Sequence, residues 1–311
     1  MPIKVASQLS AKKKLNEEGI ITINSSRAFH QDIRPLKILV LNLMPLKKPT
    51  EIQLLRLLGN SPLQVEVDFA CPASRTSTHT DNDYLHQCYI TYDDIKDKCY
   101  DGFICTGAPV EKIAFEDVAY WQELSNYFEW AKFHVFAQLN FCWSAQAALY
   151  YNYGIKKTEV TEKIFGIFPY TITHPESQLF RGFDDQYYIP QSRHTIIDDA
   201  AVDANEELMV LSRSRQMGIN IISSHNDRQL FVMGHFEYDR ESLAWEYDRD
   251  KNKGLPVHLP LNYYPNDDDT KRPIFRWCSC AHLFYNNWLN FVYQETPYNL
   301  DDLLHWGRVL L

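Results

Sequence analysis

Short apolar runs alternate with longer amphipathic stretches through the first half of the chain. Residues 36–43 are rich in Leu, Ile and Val and read as a strand. Thr50-Glu51-Ile52-Gln53 has the form of a capping box, opening a helix that carries Leu54, Leu55, Leu57 and Leu58. Residues 65–69 and 102–106 read as further strands, and 118–131, with Trp121, Leu124, Phe128 and Trp130, as an amphipathic helix. The run His134-Val135-Phe136-Ala137-Gln138-Leu139 leads into Phe141-Cys142-Trp143-Ser144-Ala145-Gln146-Ala147-Ala148-Leu149-Tyr150, which reads as strand, sharp turn, helix. Residues 208–211, 219–222 and 230–233 supply later strands, spaced closely enough to be partly antiparallel. Strand-helix alternation implies a parallel sheet covered on both faces. No Gly/Ser-rich linker or internal repeat appears, so the expected organisation is an N-terminal arm over 1–35 and a single α/β domain over 36–311.

The turn at Cys142 places a thiol at a helix N-terminus. The partial positive charge there, and the first-turn N–H groups that lack intrahelical partners, favour a thiolate. The same groups, the Trp143 amide among them, favour a negatively charged oxygen on an attacked carbonyl, so the geometry serves covalent acyl chemistry. A buried structural cysteine is the plainer alternative. Far downstream, Leu230-Phe231-Val232-Met233-Gly234-His235-Phe236-Glu237-Tyr238-Asp239 is a second apolar strand that ends near a Gly, with His235 and Glu237 just beyond it. Residues past the carboxyl ends of parallel strands converge on one crevice. His235 would then take the thiol proton and Glu237 would orient the imidazole, the alternative being a core histidine beside a surface carboxylate.

Composition narrows the classes. The 311 residues are 45% apolar and 14% aromatic, ample for a core, and the net charge of −9 argues against a general nucleic-acid surface. The Lys12-Lys13-Lys14 run reads as a solvated start of a segment. No secretory leader or bilayer-spanning stretch is legible. Seven Cys, at 71, 88, 99, 105, 142, 278 and 280, show no disulfide spacing and fit a reducing cytoplasm. Cys278-Ser279-Cys280 lacks a zinc or redox spacer and reads as packing near the start of a C-terminal helix, and no metal site is expected.

A series of long segments resembles one family. They are Met1-Pro2-Ile3-Lys4-Val5, Gln31-Asp32-Ile33-Arg34-Pro35-Leu36-Lys37-Ile38-Leu39, Leu41-Asn42-Leu43-Met44-Pro45, Gln53-Leu54-Leu55-Arg56-Leu57-Leu58-Gly59-Asn60, Thr106-Gly107-Ala108-Pro109-Val110-Glu111, Cys142-Trp143, Arg181-Gly182-Phe183-Asp184-Asp185, Gly234-His235-Phe236-Glu237-Tyr238-Asp239 and Asn287-Trp288-Leu289-Asn290. In that order they resemble the homoserine O-acyltransferases of methionine biosynthesis, the homoserine transsuccinylase or MetA family, over nearly the whole chain. The resemblance implies a class I glutamine amidotransferase-like α/β fold, a mostly parallel sheet flanked by helices. It also implies a ping-pong mechanism through an acyl-thioester, acyl-CoA as co-substrate with no bound cofactor, a small hydroxy amino acid as acceptor, and a cytoplasmic homodimer.

Residue by residue, the resemblance makes Cys142 the acylated nucleophile, His235 the proton acceptor and Glu237 its partner. Lys163 and Ser192 match substrate-binding positions, and Arg249 the residue that holds the amino-acid carboxylate, a task suited to a guanidinium fork. Taken alone, Lys163 and Arg249 read as solvated surface charge. Glu111 matches the position that is Gly in succinyl-transferring members and Glu in acetyl-transferring ones. A carboxylate there repels and crowds the distal carboxylate of a succinyl group. Its alternative reading is a loop carboxylate capping the turn near Ala114-Phe115-Glu116.

The chain departs from the family pattern at Asn140, Ser144, Ala148, Gln191, Cys278 and Cys280. Ser144 and Ala148 stand where the family has Gly, and the expectation is that they narrow the elbow toward a shorter acceptor. L-homoserine with acetyl-CoA is therefore the first reading and L-serine, in cysteine biosynthesis, the alternative. Asn140 and Ser144 also replace the Gly places of glutaminase turns, which argues against a glutamine amidotransferase-like hydrolase. A succinyl-CoA donor and a non-catalytic binding protein are the remaining readings.

Overall fold

The computed structural model describes residues 3–4, 9–17, 22–23, 34–74 and 80–306. The strands are β1 (Ile3–Lys4), β2 (Thr22–Ile23), β3 (Leu36–Leu41), β4 (Val65–Ala70), β5 (Tyr89–Ile90), β6 (Tyr100–Cys105), β7 (Val135–Phe141), β8 (Lys157–Ile172), β9 (Gln186–Ile197), β10 (Leu208–Ser214), β11 (Gly218–Ser224) and β12 (Gln229–Val232). They form one sheet in the order β2-β1-β4-β3-β6-β7-β12-β11-β10-β8-β9, with β5 beside β4. Every pairing from β2 across to β12 is parallel. Those among β12, β11, β10, β8 and β9 are antiparallel.

The main helices are α1 (Ala11–Glu17), α2 (Lys47–Leu58), α3 (Trp121–His134), α4 (Trp143–Tyr153), α5 (Ser242–Asn252) and α6 (Cys278–Glu295). β6 and β7 are buried at every position, as expected of central parallel strands covered on both faces. Along β3 the faces alternate: Ile38 and Val40 pack with Leu54, Leu55 and Leu58 of α2 and with Phe284 and Trp288 of α6. Leu39 and Leu41 point the other way, into a core with Tyr127 and Phe128 of α3 and Ala145 and Leu149 of α4.

Two expectations need correction. The helix foreseen at Thr50 starts earlier, at Lys47, and Leu46 at its N-cap offers no side-chain cap. Thr50 donates its hydroxyl back to the Leu46 carbonyl at 3.3 Å, and Glu51 is buried, accepting from Tyr84 and Tyr89 at 2.6 and 2.7 Å. The polar pattern of a capping box was thus used for tertiary hydrogen bonds. The other difference is the long antiparallel pair β8–β9, for which the sequence pattern predicts no strands. Of the arm 1–35, the residues outside 3–4, 9–17, 22–23 and 34–35 lie outside the described ones, as do Met1, Pro2, Val5 and 31–33 of the quoted segments.

Candidate active site

β6, β7 and β12 are neighbours and end at Cys105, Phe141 and Val232, so the three loops that follow share one crevice. Cys142 occupies the turn between β7 and α4 with φ 50° and ψ −117°, a conformation that L-residues avoid and that surrounding bonds must enforce. Its N–H donates to the Val232 carbonyl at 2.7 Å, extending the β7–β12 pairing by one residue, and its carbonyl accepts from Gln146 N at 3.2 Å. The N–H groups of the first turn of α4, beginning with Trp143, follow directly.

Two glycines let the loops close on this turn. A Cβ on Gly107 would lie 3.3 Å from Cys142 Cβ and 3.8 Å from His235 Cε1, which places nucleophile and imidazole around the same point. A Cβ on Gly234 would come within 2.8 Å of Ile189 Cδ1 and 2.9 Å of Gln191 Nε2. The His235 segment is thereby seated directly on β9, where His235 N donates to the Pro190 carbonyl at 2.9 Å.

His235 is 4% exposed, and its Nδ1 lies 2.7 Å from Glu237 Oε1. Its other nitrogen, Nε2, is buried and directed at the Cys142 thiol, at a geometry short of a formed hydrogen bond. Burial pulls the imidazole pKa down, but the negative charge of Glu237 and that of Cys142 outweigh it and hold His235 well above its usual range. The imidazole is therefore held toward its cationic form. Tyr238 stacks on the imidazole with ring centroids 4.1 Å apart and planes at 18°, an arrangement that also favours the cationic ring.

The β8–β9 register opposes Ile164 to Arg193 and Phe165 to Ser192, so Lys163 and Ser192 are close neighbours on the hairpin. Lys163 Nζ lies 3.3 Å from Glu246 and 3.1 Å from Asp250, and sits over the Phe165 ring 4.1 Å from its centroid. Ser192 Oγ donates to Glu246 Oε2, and Tyr238 OH to Glu246 Oε1 at 2.6 Å. Arg249, half-exposed on α5, is 2.7 Å from Asp250 and 3.9 Å from Glu246. Every residue foreseen for substrate contact thus meets around Glu246 or Asp250, neither of which the sequence reading singled out. The Tyr238-to-Glu246 spacing of eight residues crosses a loop and a helix start, so no periodicity marks it.

Glu111 faces this cluster too. Burial pushes its carboxyl up, opposed by the His194 backbone amide and the Lys163 charge, with Glu246 and His235 also within electrostatic reach. It does not cap the turn at Phe115–Asp117, whose N-cap Ala114 has no side-chain bond. The expected narrowing by Ser144 and Ala148 is absent as well. Ser144 is fully buried beneath the elbow, accepting from Phe141 N at 3.0 Å and donating to Cys105 O at 2.7 Å or Phe141 O at 2.9 Å. Ala148 lies one turn along α4 in the apolar core.

The other departures are also internal. Gln191 Nε2 bonds Tyr170 OH at 2.9 Å and Asn220 Oδ1 at 3.0 Å, and that Asn220 oxygen accepts from Gly234 N at 3.0 Å. Asn140 is fully buried on β7 with its amide toward the Leu230 carbonyl at 3.4 Å. Cys278 and Cys280 open α6, where the Cys280 thiol is pushed up to about 12 by burial. All seven cysteines are free. Among the described residues no group of His, Cys, Asp and Glu is disposed to hold a metal ion, and no helix is long and apolar enough to cross a membrane.

The architecture is shared with solved amidotransferases. A glutamine amidotransferase from Thermotoga maritima aligns with a TM-score of 0.56 at 11% identity, over 84% of this chain and 99% of that one. A glutamine amido transferase from Methylobacillus flagellatus aligns at 0.51 and 11%, over 83% and 95%. At such identities the likeness speaks to fold alone, and the fold is glutamine amidotransferase-like α/β. A family model described as homoserine O-succinyltransferase matches residues 2–298. The homoserine O-acetyltransferase of Acetivibrio thermocellus is 48% identical over 304 residues, 97% of this chain and 100% of that protein. That of Lachnoclostridium phytofermentans is 50% identical over 301 residues, 96% of this chain and 100% of its own length. The chain belongs to the homoserine O-succinyltransferase family of acyltransferases.

Proposed function

We propose that this chain is a homoserine O-acetyltransferase of methionine biosynthesis, moving acetyl from acetyl-CoA to the L-homoserine hydroxyl through a thioester on Cys142. The observation that carries the reading is the strained elbow at Cys142 facing the His235–Glu237 pair. The Cys142 thiolate attacks the acetyl carbonyl carbon, and the Trp143 amide receives the developing oxyanion. Collapse breaks the carbon–sulfur bond to CoA, and the His235 imidazolium protonates the departing thiolate, giving free CoA and acetyl-Cys142. The now neutral His235 takes the proton of the homoserine hydroxyl as its oxygen attacks the thioester. Cys142 leaves as thiolate, O-acetylhomoserine forms and the imidazolium is restored. Glu237 holds the ring and its charge through both steps. Lys163, Ser192 and Arg249 seat the acceptor. A cytoplasmic homodimer in which 36–311 acts as one catalytic domain, preceded by the arm 1–35, belongs to the same reading.

Acetyl is favoured over succinyl by Glu111. Two carboxylates about 5 Å apart at an effective dielectric near 20 repel by about 3 kcal/mol, roughly a hundredfold in rate. Homoserine is favoured over serine because the two residues suspected of shortening the acceptor pocket are occupied inside the elbow and the core. The test is a matrix of acetyl-CoA and succinyl-CoA against homoserine and serine, followed by CoA release, for wild type and Glu111→Gly. Wild type should favour acetyl-CoA with homoserine, and Glu111→Gly should raise succinyl transfer selectively. Serine turnover exceeding homoserine turnover would refute the acceptor assignment, and a wild-type preference for succinyl-CoA the donor assignment.

A further inference from the structure

Glu111 can exclude a succinyl group only if its carboxyl is held toward the site, yet the turn that carries it runs over the surface, with Lys112, Ile113 and Ala114 exposed. The turn is held from β8 and β9. Lys157, half-buried on β8, donates through Nζ to the carbonyls of both Glu111 and Ile113, the latter at 2.6 Å. Among the described residues no backbone N–H outside helices and strands meets either carbonyl. The same ammonium lies 4.5 Å from the centroid of the Phe115 ring, which packs on Trp143 and Tyr150 of α4. Just beyond Lys157, β8 leaves register with β9 between the Glu159–Thr195 and Ile164–Arg193 pairs, so residues 160–163 stand opposite His194 alone. The His194 N–H there faces the Glu111 carboxyl, whose charged form it favours. Lys112 also pairs with Glu159 at 3.1 Å, but both side chains are more than half exposed and the pair holds little.

We propose that Lys157 is a positioning residue for donor choice: it pins the main chain on both sides of Lys112, so that the Glu111 carboxyl stays turned inward against the distal carboxylate of a succinyl donor. The proposal rests on the donor reading above. An ammonium carries three protons, enough for two carbonyls at once, and no neutral side chain of that length can make both bonds. Once the carbonyls are released, water is their nearest alternative partner. The carboxyl follows, because burial works against its charged form and turning outward relieves that cost. Moving a carboxylate from about 5 to about 10 Å away halves the repulsion, which turns a roughly hundredfold discrimination into one of about tenfold. Lys157 thus acts through Glu111 and not by contact with the donor.

The test is a double-mutant cycle on the first half-reaction, the second-order rate of Cys142 acylation by acetyl-CoA and by succinyl-CoA without acceptor, read by mass spectrometry after rapid quenching. Lys157→Met should lower the acetyl-over-succinyl ratio about tenfold, mainly by raising succinyl acylation. Lys157→Arg, which keeps the charge and several donors, should retain most of the ratio. In a Glu111→Gly background, Lys157→Met should change the ratio by less than about twofold, because the group it positions is gone. Where the Met variant does not fold, Lys157→Gln, which keeps one donor for the turn, gives the same readings in smaller measure. A ratio that moves in Glu111→Gly and stands still in Lys157→Met refutes the proposal alone. A change of equal size with and without Glu111, or a fall in succinyl acylation, would mean that the ammonium meets the donor directly, and overturns it as well. If Glu111→Gly itself leaves the ratio unchanged, the donor reading fails and the proposal falls as its consequence.

Discussion

Replacing Ser144 by Gly separates two physical accounts of the elbow. If the side chain narrowed the acceptor pocket, its removal would favour the longer acceptor and cost little stability. The structure puts the hydroxyl in a different role. It accepts from Phe141 N at 3.0 Å and donates to Cys105 O at 2.7 Å or Phe141 O at 2.9 Å, binding the ends of β6 and β7 together under Cys142. A hydroxyl has one proton, so it makes two of these bonds at a time, worth about 0.5–1.5 kcal/mol each. Glycine in the first turn of α4 adds about 0.5 kcal/mol relative to serine. Ser144→Gly should therefore destabilise by about 1.5–3.5 kcal/mol, read as a lower urea midpoint at unchanged m-value. Because Cys105 precedes the loop whose Gly107 touches the nucleophile, alkylation of Cys142 should slow as well. The ratio of kcat/KM for serine over homoserine should stay within a factor of about two, since no pocket wall has moved, and a factor of two is only about 0.4 kcal/mol. A variant of wild-type stability whose acceptor ratio swings toward homoserine would refute this account and restore the steric one.

Three further outcomes follow from the site. Acetyl-CoA without acceptor should leave an adduct of about 42 Da on wild type and none on Cys142→Ala, and turnover without any adduct after rapid quenching would exclude the thioester route. Gly107→Ala adds a methyl 3.3 Å from Cys142 Cβ and should slow acylation by about 10- to 100-fold with little change in melting temperature, because a displaced nucleophile loses alignment before the fold loses packing. Finally, His235 is held above its unfolded value near 6.5, chiefly by Glu237 and Cys142 against burial, so its contribution to stability is complete below about pH 6.5 and fades as pH rises through the raised folded value. The stability gap between wild type and Glu237→Gln should accordingly be widest near pH 6 and shrink toward alkaline pH, and a gap that grows on that side would mean the histidine is neutral at rest.

How much of this was legible in the sequence depends on whether a residue's role is local. The strand-turn-helix at Cys142 is local, since an apolar run and an Ala-rich helix start define it, and the structure places it as read. The convergence of Cys142 and His235 also followed from the sequence, because both sit just past carboxyl ends in the parallel part of the sheet. The β8–β9 hairpin was invisible for the opposite reason. Lys157 to Lys163 mixes Thr, Glu and Lys on a half-exposed strand, giving neither a clean alternation nor an apolar run. Lys163 and Ser192 were therefore placed by family resemblance, and their shared partner Glu246, on an exposed-looking helix, was not placed at all. The role of Ser144 could not be read either, because a substitution for glycine looks like added bulk until the direction of its hydroxyl is known.

In the proposed mechanism, the position of β12 is what lets one histidine serve both half-reactions. β12 is parallel to β7 and antiparallel to β11, so it forms the seam between the two kinds of pairing. On the β7 side the seam supplies Val232, whose carbonyl fixes the nucleophile's N–H. On the β11 side, Asn220 holds Met233 and Gly234 and the β9 carbonyl of Pro190 holds His235, so the imidazole takes its position from the half that carries Lys163 and Ser192. Nucleophile and base thus belong to different structural blocks that meet at a single strand. Under the proposed mechanism the acyl group would arrive on one block and the acceptor be seated by the other, with His235 between them passing a proton in each direction. Such a division keeps the strained elbow independent of acceptor recognition. Substitutions around the hairpin are then expected to alter acceptor use without disturbing Cys142, whereas changes at Ser144 act on the bonds that hold the elbow.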